Sequence, residues 1–144
     1  MKASTLLIRE LAELVPLFDR LRADGLRKRN LTLPRRRLLM FLHESGPLRS
    51  SDLAQLLGVT PRAVTALVDG LVETGYVERC PDPSDRRASF IELTGFGKEI
   101  CRDMQSSFDS FATQLFAGIE LEEVDAALQI VSVIRKNFEE ILAS

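Results

Sequence analysis

Asp82-Pro-Ser-Asp-Arg-Arg-Ala-Ser-Phe-Ile-Glu-Leu-Thr-Gly-Phe-Gly97 is the stretch that decides the fold. It reads as a tight, charged loop, then a short strand, then the start of a helix. Just upstream, Tyr76-Val-Glu-Arg79 alternates as a strand does, so the loop joins two strands able to pair as a hairpin. A hairpin with Arg86 and Arg87 at its tip, directly after a helical segment, is the layout of a DNA-binding wing. The expected fold is therefore a winged helix-turn-helix, mainly α with a small β-hairpin.

Working upstream, Thr60-Pro61 opens a helix, with Thr60 as N-cap and Pro61 in the first turn. Val64, Leu67, Val68 and Leu71 form its buried stripe, and Gly75 closes it. Before it, Ser50 or Ser51 caps a short helix through Asp52-Leu-Ala-Gln-Leu-Leu57, which Gly58 ends. Two helices joined by Gly58-Val59-Thr60 make the helix-turn-helix unit. Leu33-Pro34 starts an earlier helix through Leu42, stopped by Ser45-Gly46-Pro47, and Arg27–Asn30 reads as a polar loop. At the N-terminal end, Leu7, Leu11, Leu14, Phe18 and Leu21 form an apolar seam on one helical face, with a bend expected at Pro16. Two long helices follow the wing, from Thr94 to about Gly118 and from Glu120 to about Leu142. Thr94 caps the first, and Glu120, Glu122 and Glu123 complement the N-terminal end of the second. The element order is ααααββαα.

The 144 residues, 45% apolar and 28% charged, fit one soluble domain. Net charge is −2, but residues 27–97 carry +3 and residues 98–144 carry −5. A basic middle and an acidic C-terminal part suit a chain whose middle alone touches phosphate, provided its arginines share a face. Cys80 and Cys101 lack CxxC spacing and a single His cannot complete a usual zinc set, so neither a metal nor a cofactor is expected. Two reduced thiols, no apolar run of membrane-spanning length and no signal-peptide pattern point to the cytoplasm, with no membrane partner. One His, no glycine-rich phosphate loop and no nucleophile–base set speak against an enzyme.

The second helix of a helix-turn-helix enters the major groove by its N-terminal end. Here that end presents Thr60, Pro61, Arg62 and Thr65, with Ala66 and Asp69 one turn along. Arg62, the one long cation on this helix, suits a bidentate guanine contact, while Thr60 and Thr65 suit phosphate or a thymine methyl group. On the wing, Arg86 or Arg87 suits a narrow minor groove. Asp82 and Asp85 read as wing support that fixes these arginines; a merely solvated charged turn is the plainer alternative. Arg49, Ser50 and Ser51, at the start of the preceding short helix, are DNA-binding candidates too, with Arg49 aimed at phosphate, because helix N-termini favour anions. Arg35, Arg36 and Arg37 spread over roughly 200° of helix and cannot all face one partner.

Asp85-Arg86-Arg87 followed by Ile91-Glu-Leu-Thr94 and Gly97 resembles the wing and following helix of the MarR (multiple antibiotic resistance regulator) family. Val64-Thr65, Val68-Asp69-Gly70-Leu71, Gly75-Tyr76-Val77 and Arg79 resemble its recognition helix and first wing strand. The resemblance spans nearly the whole chain. It implies a single MarR-like domain over 1–144, with 1–30 and 98–144 as dimerisation helices and 31–97 as the DNA-binding region. It further implies a homodimeric transcription regulator, a repressor, that binds a pseudo-palindrome in double-stranded DNA. The apolar stripes from Leu7 to Leu21 and from Phe108 to Ile141 supply matching material for a dimer interface. The family often senses small aromatic or lipophilic effectors; with no Trp and one Tyr here, His43 is the best pocket candidate, against a plain dimer-facing histidine. Two other readings stay open: a winged-helix module for protein contact without DNA, and a thiol-based redox sensor using Cys80 or Cys101.

Overall fold

The computed structural model describes residues 2–144, which cluster into two units, one ending at Cys101 and one running from Arg102 to Ser144. In the first unit, α1 (Ala3–Arg29) and α2 (Leu33–Ser45) lead into a two-residue strand β1 (Leu48–Arg49). Helices α3 (Ser50–Leu57) and α4 (Pro61–Glu73) follow, then β2 (Val77–Asp82), β3 (Asp85–Leu93) and the start of α5 (Gly95–Leu115). The rest of α5 and all of α6 (Leu121–Ala143) make up the second unit.

Local chemistry sets these boundaries. Thr32 caps α2 by accepting from the Arg35 amide at 3.4 Å, with Pro34 in the first turn, where its missing N–H costs nothing. At the far end of α3, Gly58 turns left-handed (φ 67°) and its N–H meets the Gln55 carbonyl. Thr60 caps α4 through the Ala63 amide at 3.1 Å. The two helices are thus held one tight turn apart. Leu38, Leu39, Leu53, Val64, Val68, Leu71, Val77 and Ile91 are fully buried, so α2, α3, α4 and the sheet share one core. Full burial of a Leu or Val contributes about 1.5–3 kcal/mol apiece before entropy is counted.

The sheet has order β1-β3-β2 and is antiparallel throughout. Strand β1 was not expected, since two residues after Pro47 show no alternation to read. Its pairing, Leu48 with Ile91 and Arg49 with Phe90, holds Arg49 extended and makes it the residue before α3. Helix α3 therefore starts at Ser50, and the expected Ser50 or Ser51 side-chain cap is not formed. Two further expectations are corrected. Residues 27–29 are the last turn of α1 rather than a loop, because three basic side chains suit a helix C-terminus and Asn30 supplies the left-handed exit (φ 52°). Helix α1 runs on through Pro16, in keeping with the single helix expected over this seam. Tyr76 precedes β2 instead of lying on it; the residue is buried and its hydroxyl donates to the Arg29 carbonyl at 3.2 Å.

Thr94 does more than cap α5. Its hydroxyl accepts from the Gly97 amide at 3.0 Å and donates to the Gly75 carbonyl at 2.6 Å. The start of α5 is therefore bound to the chain between α4 and β2. Glu120 precedes α6, and the Glu123 carboxylate accepts from its amide at 3.3 Å, closing the acidic helix start expected there.

Helices α1 and α6 contain no buried residue. Along α6, Leu128, Val131, Phe138 and Ile141 are all exposed, as are Leu7, Leu14 and Phe18 on α1. No helix among the described residues is long and apolar enough to cross a membrane.

Candidate nucleic-acid interface

The exposed face of α4 carries Pro61, Arg62, Thr65, Ala66 and Asp69, opposite the buried Val64, Val68 and Leu71. Thr60 spends an oxygen lone pair on the cap and keeps its O–H for an acceptor such as phosphate. Thr65 instead donates to the Pro61 carbonyl at 3.0 Å, leaving its methyl group and lone pairs outward. Asp69 pairs with Arg79 of β2 and so ties the outer face of α4 to the wing.

At the wing tip, the register passes from Pro81 opposite Ser89 to Asp82 opposite Asp85. Arg86, Arg87 and Ala88 therefore have no partner on β2 and form a bulge, a device that re-aims side chains. Arg86 and Arg87 are exposed, and neither they nor Arg62 make an ion pair among the described residues. Three guanidinium groups on the helix end and the wing are thus left for an outside acceptor.

The two aspartates differ in what they hold. Asp85 accepts from the Arg87 amide at 2.9 Å, fixing the backbone of that arginine. Asp82 is not aimed at the wing arginines. Its Oδ1 accepts from the Ser84 amide (2.9 Å) and hydroxyl (2.8 Å), and its Oδ2 meets Arg49 at 2.6 Å. The Arg49 guanidinium also lies 5.4 Å from the Phe90 ring centroid. The Arg49 guanidinium, expected to stand free for phosphate, is thus engaged as a strut between β1 and the end of β2. Sequence showed the Asp82-Pro83-Ser84 turn but not its partner 33 residues away, which only the β1–β3 pairing brings near.

The Ser84 amide and hydroxyl, with Arg49 beside them, hold the Asp82 carboxyl below its ordinary 3.8. A depressed folded pKa contributes stability that is complete above 3.8 and is lost as pH falls through the lower folded value. Hydrogen exchange at residues 82–89 should therefore rise only in strong acid, and Asp82→Asn should remove that acid dependence. Arg49→Ala should raise exchange at the tip already at neutral pH while the helical core keeps its protection. An unchanged tip would rule out the strut.

The three arginines of α2 diverge as expected. Arg35 lies over Gly70 of α4, Arg36 acts on Cys101, and Arg37 is exposed. His43 is half-buried on the last turn of α2. Cys80 donates to Glu92 at 2.9 Å, which with partial desolvation pushes its thiol up to about 11. Burial pushes Cys101 up to about 11 as well, against the opposing charge of Arg36.

A family model described as the MarR family matches residues 29–88. Over 115 residues the chain is 30% identical to the HTH-type transcriptional regulator YfiV of Bacillus subtilis, covering 78% of this chain and 70% of YfiV. This chain belongs to the MarR family. Among solved structures it resembles the transcriptional regulator Tm0710 of Thermotoga maritima, at 28% identity and a TM-score of 0.66 over 97% of this chain and 96% of that one. It shares its fold with RV1404 of Mycobacterium tuberculosis, at 24% identity and a TM-score of 0.82 over 94% of each chain. A MarR-family chain is a DNA-binding transcription regulator, and the winged helix built by α3, α4, β2 and β3 is the part of this one that fits that task.

Proposed function

We propose that this MarR-family regulator is a homodimeric repressor that binds a pseudo-palindromic site in double-stranded DNA. The observation that carries this reading is the set of exposed, unpaired guanidinium groups of Arg62, Arg86 and Arg87 on a rigid helix end and a bulged wing. Arg62 reads guanine in the major groove, Thr60 binds phosphate, and the wing arginines enter the minor groove. The dimer follows from α1 and α6: helices with no buried residue and a continuous apolar stripe need a second surface to cover them.

Selection of bound fragments from random DNA tests the whole reading. The recovered site should be two-fold symmetric, with half-sites about one helical turn (~34 Å) apart. Sedimentation should give a dimer. A stable monomer that binds asymmetric DNA would overturn the model.

Release by a small aromatic or lipophilic effector is part of the proposal, with His43 as its polar anchor. A thermal-shift screen with phenolic carboxylates should yield a ligand whose effect His43→Ala abolishes. A thiol switch is not favoured, because thiols raised to about 11 are protonated near neutral pH and attack oxidants slowly.

A further inference from the structure

One face of the β2–β3 hairpin gathers three metal-ligating side chains that the DNA reading does not use. Glu78 and Cys80 lie two residues apart on β2 and so share a face, and Glu92 is the cross-strand partner of Glu78. The Cys80 Sγ lies 2.9 Å from a Glu92 oxygen, and one ligand atom from each residue lies within 4.8 Å of the other two. Like charges directly opposite across strands destabilise a hairpin, and neither carboxylate has an ion-pair partner among the described residues. A cation between them reverses the sign of that interaction.

We propose that Glu78, Cys80 and Glu92 form a binding site for a divalent transition-metal ion such as Zn2+, with water completing the shell. Tetrahedral zinc holds sulfur at about 2.3 Å and carboxylate oxygen at about 2.0–2.2 Å, which sets the donors roughly 3.5 Å apart, so a pair separated by as much as 4.8 Å must close by a little over an ångström. Glutamate side chains rotate that far without moving the backbone. The thiolate selects a borderline-soft ion over Mg2+ or Ca2+, which prefer all-oxygen shells. On binding, the Cys80 S–H bond breaks, its proton passes to water and a sulfur–metal bond forms, with no change of oxidation state. Spacing alone hides this set, since residues 78, 80 and 92 meet only through the hairpin register. The site does not depend on DNA binding, and its test reads the metal alone.

Chelator-treated full-length protein is titrated with Co2+. A thiolate-to-cobalt absorption band should grow to one equivalent in the wild type and in Cys101→Ser, and Zn2+ should bleach it. The band should be absent from Cys80→Ser. Glu78→Gln and Glu92→Gln should each raise the Kd at least ~10-fold, since even outer-shell partners of metal ligands carry that much. Matching thermal transitions in chelator establish that each variant is folded. No band in the wild type at stoichiometric Co2+, a band retained in Cys80→Ser, or affinities unmoved by both glutamine variants would each overturn the site.

Discussion

Gly97→Ala lowers the melting temperature by ~5–10 °C, while Gly70→Ala leaves it unchanged or raises it. Both glycines are crowded where a Cβ would stand, but the obstacles differ. At Gly97 the added carbon meets the Tyr76 carbonyl oxygen, with a Leu93 methyl at 3.3 Å. That carbonyl is pinned by the Thr94 amide at 3.1 Å and lies 3.2 Å from the Thr94 hydroxyl, so it cannot retreat without disturbing the start of α5. Overpacking against fixed backbone costs about 1–3 kcal/mol. At Gly70 the obstacle is the Arg35 guanidinium, the far end of a flexible side chain that can swing into solvent. Replacing a mid-helix glycine by alanine then recovers up to ~1 kcal/mol of helix propensity. Thermal melts of the two variants at equal protein concentration check the contrast, and equal losses would show that Arg35 is as fixed as the Tyr76 backbone.

Arg62→Ala weakens binding to the preferred site by ~5–150-fold, equivalent to ~1–3 kcal/mol, and relaxes the choice of base. Arg87→Ala weakens binding to every sequence about equally and reduces the salt slope by about 1. The difference follows from position. Arg62 stands in the first turn of α4, beside a capping threonine and small neighbours that let the helix approach bases. Arg87 stands in the wing bulge with its amide held by Asp85, so its place is set by backbone, and the target proposed for it is the phosphate-lined groove. Arg49→Ala is the informative companion, because its guanidinium is already engaged by Asp82 and Phe90. Its effect on affinity should come through a loosened wing, with the base preference kept. Affinities measured on matched and scrambled sites across a salt series separate the three outcomes. Wild-type binding by both Arg62→Ala and Arg87→Ala at moderate salt would discard the proposed contacts.

Most of the fold was legible because its punctuation is local. Thr60-Pro61, Gly58 and Thr94 each fix an element end through bonds within a few residues, and the 3.6-residue stripe of α4 needs no outside information. The parts that were not legible depend on distant partners. Strand β1 exists because Phe90 and Ile91 pair with two residues that carry no pattern of their own. The same pairing moves the start of α3 to Ser50 and turns Arg49 from a free cation into a strut. The end of α1 was misread for another reason: Arg27-Lys-Arg-Asn30 has loop-like composition, yet basic side chains suit a helix C-terminus. Within the candidate interface, sequence nominated Arg62, Arg86 and Arg87 as contacts, but which cations stay unpaired was not legible, because it depends on distant partners such as Asp82 for Arg49 and Asp69 for Arg79.

Tyr76 is the chain's single tyrosine, and the chain has no tryptophan. Its ring stacks at 5.1 Å on Phe96 and its hydroxyl is bonded to the last turn of α1. Intrinsic emission excited near 280 nm therefore comes from one residue, placed where α1, the lead into β2 and the start of α5 converge. The protein carries its own optical gauge of that junction, and a ligand or DNA that shifts the end of α1 registers there without a label.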